Sequence, residues 1–98
     1  MRPFVDLIER QLAFFRADNA DLIERCAEAE RAYDRAPREE AEERYAEYLD
    51  LVEEGVDALA EIRDTYAQTL EPDQAKSYGA AFQREVRRRF PRFPVDAL

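Results

Sequence analysis

The residues best equipped for chemistry lie at the carboxyl end, where Arg84, Arg87, Arg88, Arg89 and Arg92 are interleaved with Phe90 and Phe93. A guanidinium grips phosphate bidentately and an aromatic ring stacks on a base, so this run suits contact with nucleic acid or an acidic membrane surface. The same residues suit two other uses. The cationic end of a helix complements its own C-terminal dipole and the acids of neighbouring helices. The stretch RFPRFPVDAL, residues 89–98, also offers Phe90, Phe93 and its prolines as anchors for a partner's groove. Self-neutralisation ranks first. Residues 1–75 hold nine Arg and no Lys against 21 acids, a balance of −12, whereas residues 76–98 hold six bases against two acids, +4, within a total of −8. So acidic a body opposes polyanion binding, which therefore ranks last.

The acids form lines of their own: Glu47, Glu54 and Glu61 recur every seven residues, and so do Asp50, Asp57, Asp64 and Glu71. At helical spacing both lines fall on the side away from the apolar residues, so a solvated outer face explains them. Glu40 and Glu43, three apart, would hold a hard cation only weakly. The chain contains no His, which removes the commonest general base and transition-metal ligand. Cys26 therefore lacks an imidazole partner for nucleophilic work, and Ser77 has no evident base. No catalytic residue, cofactor site, metal site or small-molecule substrate is expected, and the chain reads as a non-enzyme.

The elements that position these residues are helical. With Gly at 2, Pro at 5 and charged residues at 39%, the composition suits long helices, and 98 residues suffice for one domain, residues 1–98. Apolar residues fall at Val5, Ile8, Leu12, Phe15, Leu22, Cys26, Ala29 and Tyr33, a three-and-four spacing interrupted by Asn19. Tyr45, Tyr48, Val52, Gly55, Leu59, Ile62 and Tyr66 repeat it. Pro37 lies between the two stripes, followed by Glu39 and Glu40. A proline tolerates the first helical turn and disfavours helical geometry in the residue before it.

The spacing thus predicts a first helix over 3–35 and a second over 38–70, joined so briefly that they run antiparallel as a coiled-coil-like hairpin. Folding at Pro37 sets Leu12 opposite Ile62, Phe15 opposite Leu59, Leu22 opposite Val52 and Cys26 opposite Tyr48. It also sets Asn19 opposite Gly55, a polar group facing a position without a side chain, and predicts that this pair fixes register.

A third helix is expected over 73–89, with Tyr78, Phe82 and Val86 as its stripe, Gly79, Ala80 and Ala81 allowing close approach, and residues 90–98 as an extended tail. Phe4, Leu7 and Phe14, with Gln11 among them, are its expected landing line. About 27 Å long against roughly 45–50 Å for its partners, it covers one half of the hairpin. The other half exposes Leu22, Ile23, Cys26, Tyr33, Tyr45, Tyr48, Leu49 and Val52, so a second copy is expected to cover them and complete a helical bundle. The expected partners are thus the chain itself or another helical protein, in an adaptor, scaffold or small regulatory role. The alternative is an anion-binding module that uses the Arg/Phe end. No apolar run reaches the roughly 18–20 residues of a membrane span and no secretory signal pattern opens the chain, so a cytoplasmic location is expected.

Overall fold

A computed structural model describes residues 3–95, and every element in it is a helix. α1 spans Val5–Asp18, α2 Ala20–Arg35, α3 Arg38–Ala67 and α4 Pro72–Arg89. Two prolines set boundaries where local chemistry predicts them. Pro37 adopts extended geometry (φ −67°, ψ 161°) and its carbonyl accepts from the Glu40 N–H at 2.9 Å, so α3 begins at once, with Glu39 and Glu40 at its positive end. Pro72 opens α4 in the same way after Glu71. α3 closes in a tight turn in which the Thr69 hydroxyl donates to the Tyr66 carbonyl at 2.7 Å.

The first predicted helix is two helices, α1 and α2. Asn19, at φ −117° and ψ 26°, leaves helical geometry, yet few backbone bonds are lost. Its N–H donates to the Phe15 carbonyl at 2.9 Å, and its own carbonyl accepts from the Ile23 N–H at 2.9 Å. The side-chain amide joins in, with Nδ2 donating to that same Phe15 oxygen at 3.1 Å. Short polar side chains compete for backbone acceptors in this way and bend helices where they do. The Asn19 amide therefore turns back on its own helix, in place of the predicted link to Gly55.

What Gly55 accommodates is the Phe93 ring: a Cβ added there would overlap the ring carbons. The tail is thus not free. Phe93 donates its N–H to the Phe90 carbonyl at 2.9 Å, closing a turn over Pro91 and Arg92 that brings Phe90, Phe93 and Val95 into the core. There Phe15 meets Phe90 edge-on at 5.2 Å and Phe93 at 5.7 Å. Burying a large apolar side chain contributes about 1.5–3 kcal/mol, so Phe90, Phe93 and Val95 together offset the ordering of a segment whose prolines already restrict it.

Around those rings the core collects Ile8 and Leu12 from α1, Cys26 from α2, Leu59 from α3, and Tyr78, Phe82 and Val86 from α4. α2 and α3 share the most extensive contact of any two helices, while α4 packs against α1 and α3. The landing line for α4 differs from expectation. Phe4 packs edge-on against Tyr78 at 5.5 Å, and the Tyr78 hydroxyl donates to Gln11 Oε1 at 2.9 Å, but Phe14 stays 61% exposed. Phe4 holds a left-handed backbone (φ 69°), a conformation costly for an aromatic residue and kept in place here by that ring contact. Gly79 does not mediate close approach either, since nothing lies within 4 Å of an added Cβ.

Candidate interaction surfaces

Three surfaces carry the residues of interest. The first lies at the end of α2 and the start of α3. Tyr33 and Tyr45 meet with tilted rings 5.1 Å apart between centroids, and Tyr45 and Tyr48 follow at 6.3 Å. Tyr33, Tyr45 and Leu49 are 38%, 45% and 44% exposed, which puts an aromatic patch in water with no covering element among the described residues. Heptad spacing brings them to one side, because α2 ends where Ala36 and Pro37 reverse the chain into α3. The remaining predicted residues of this surface divide. Leu22, Ile23 and Val52 are half-buried and pack against the core. Cys26 is fully buried beneath them and cannot meet a partner. Burial pushes its thiol above the ordinary range, and the Arg92 charge partly offsets that rise.

The second surface is the arginine end, and most of it is engaged internally. Arg88 donates to Glu85 from Nη2 at 2.9 Å and from Nε at 3.2 Å, and Glu85 itself is only 8% exposed. Arg89 reaches Glu9 of α1 at 2.9 Å. Arg92 reaches Glu30 of α2 at 2.7 Å and donates from Nε to the Tyr48 hydroxyl at 3.3 Å, tying the tail to the tyrosine patch. Arg16 covers the Phe90 ring at 4.7 Å. Phe90 and Phe93 are core residues, so they cannot anchor a partner's groove unless the tail leaves its seat. Arg84 and Arg87 remain exposed and form no ion pair with another described residue.

The third surface was not anticipated. An open groove of about 760 Å³ runs between α1 and α3, with Phe14, Ala58, Ile62 and Tyr66 supplying its apolar part. Its sequence signal is Phe14, an apolar residue off the main seam whose spacing also suits a landing site for α4.

Glu40, considered for a weak cation site, lies 3.5 Å from the Arg44 guanidinium instead. Among the described residues no cluster of three or more acids and thiols is arranged to hold a metal ion, and no helix is long and apolar enough to cross a membrane. No protein-family model, curated protein or solved structure matches the chain.

Proposed function

We propose that this chain is a non-enzymatic helical interaction module, an adaptor, scaffold or small regulatory subunit, that works as a homodimer. In this reading α2 and α3 form an antiparallel, coiled-coil-like hairpin whose end, with Tyr33, Tyr45 and Leu49 at its centre, packs against its equivalent in a second copy. The observation that carries it is the exposed aromatic patch. Aromatic groups clustered on a surface and rimmed by charge are characteristic of interfaces, where tyrosine buries its ring and keeps its hydroxyl bonded. Residues 31–50, the stretch that carries the patch, hold four arginines against seven acids, so its arginines offset part of the acidic charge that two copies bring together. A cytoplasmic setting accords with a single, buried, unpaired thiol.

Substituting Tyr45→Glu tests the placement. A charge at the centre of an apolar interface lacks a partner and should reduce the mass in solution from dimer to monomer, with the circular dichroism unchanged because the residue is exposed. An unchanged dimer mass would remove the patch from the interface.

A second reading, anion binding, is favoured by Arg84 and Arg87 alone, the two arginines of the terminal run with no ion pair to a described residue. It predicts an affinity for a polyanion such as single-stranded DNA that falls steeply with salt and vanishes on Arg84→Ala with Arg87→Ala.

A further inference from the structure

The groove between α1 and α3 is a second, separate surface. Along α1 it extends from Arg10 to Asp18 and along α3 from Ala58 to Thr69, or about 12–16 Å at the helical rise, two to three turns of a helix laid in it. Phe14, the most exposed large apolar side chain among the described residues, stands on one wall, and Ile62 and Tyr66 line the other. The floor is stiff. Gln11 and Tyr66 both line the groove and both touch Tyr78 of α4 from behind, one by a 2.9 Å hydrogen bond and the other by ring contact at 4.8 Å. An open trough between two helices, apolar at Phe14, Ala58, Ile62 and Tyr66 and polar along its edges, is the shape that receives an amphipathic helix.

Charge decides which helix. Asp18 and Glu61 line the groove, and helical spacing places Glu54 and Asp57 on the same edge of α3 as Glu61. None of these four carboxylates forms an ion pair with another described residue, and among the described residues Arg10 is the only base that lines the groove. The rim therefore attracts a cation and disfavours the acidic faces of a second copy of this chain. The geometry points to a docking site for an amphipathic helix of another protein, one whose apolar face seats on Phe14 and Ile62 and whose flanking Lys or Arg residues meet Asp18 and Glu61. This site does not depend on dimerisation through the tyrosines.

The test uses the full chain and a labelled synthetic amphipathic helix made of Leu and Lys, with a Leu and Glu helix of the same pattern as the control, both followed by fluorescence anisotropy. The basic helix should bind and the acidic one should not. Phe14→Ser should weaken binding by roughly tenfold or more, as loss of a central apolar anchor does. Asp18→Lys with Glu61→Lys should invert the preference, while Tyr45→Ser should change nothing. The substituted positions are solvent-exposed, and circular dichroism of each variant should match that of the unaltered chain. Equal binding of the two helices, or basic-helix binding indifferent to Phe14→Ser and to the charge reversal, would overturn the proposal. So would Phe14→Ser converting a dimer to a monomer, which would make the occupant a second copy.

Discussion

At Gly55, two opposing effects can be weighed. Replacing a helical glycine with alanine ordinarily gains about 1 kcal/mol through the unfolded chain and helix propensity. Here the new methyl would overlap the Phe93 ring, which packs edge-on against Phe15, and overpacking costs about 1–3 kcal/mol. Gly55→Ala should therefore destabilise the fold in urea titrations, and should become neutral or stabilising once Phe93→Ala has emptied the space; destabilisation in both backgrounds would refute the assignment. Gly55 was conspicuous in the sequence as the seam position without a side chain. Its occupant was not, because Phe93 arrives through a turn that only burial of the tail creates. Tyr78 supplies a second test. Burial raises its phenol from 10.0 to about 12, although the bond to Gln11 opposes the rise. Between those two values the folded chain holds a proton that the unfolded chain has released, so this contribution to stability is complete below pH 10 and disappears as pH climbs toward 12. Tyr78→Phe should abolish that part of the alkaline decline, and phenolate absorbance should lose a late-titrating component in that variant.

Elements were legible wherever a boundary depends on local covalent chemistry. Pro37 and Pro72 impose their geometry on adjacent residues regardless of what packs against them, so the starts of α3 and α4 could be read directly. The break at Asn19 could not, because the three-and-four spacing of apolar residues continues across it and its backbone hydrogen bonds persist. The tail departs from its expected extension for a related reason: two prolines favour extension, whereas burial of Phe90, Phe93 and Val95 favours return, and burial prevails. The same comparison predicts what holds the tail. The Arg92–Glu30 pair is partly exposed, so Arg92→Ala should cost less than about 1 kcal/mol. Phe93→Ala removes a buried ring and should cost about 3–5 kcal/mol. Chemical denaturation of the two variants would rank them, and a larger loss for Arg92→Ala would show that charge, not burial, secures the segment.

For the whole molecule, the helical class followed from composition and periodicity, since few glycines and a repeated apolar spacing leave little else to build. Which faces stay uncovered was only half legible. The tyrosines near the chain reversal were expected in water and Tyr33 and Tyr45 are there, but Cys26 is sealed inside and Phe14, expected beneath α4, is exposed. Those differences arise because α4 and the tail together cover one side, a division of labour that no local pattern encodes. If the tyrosine end joins two copies, sedimentation equilibrium of the unaltered chain at micromolar concentrations should give twice the 11.5 kDa of one chain, and an 11.5 kDa species at every concentration would rule that assembly out.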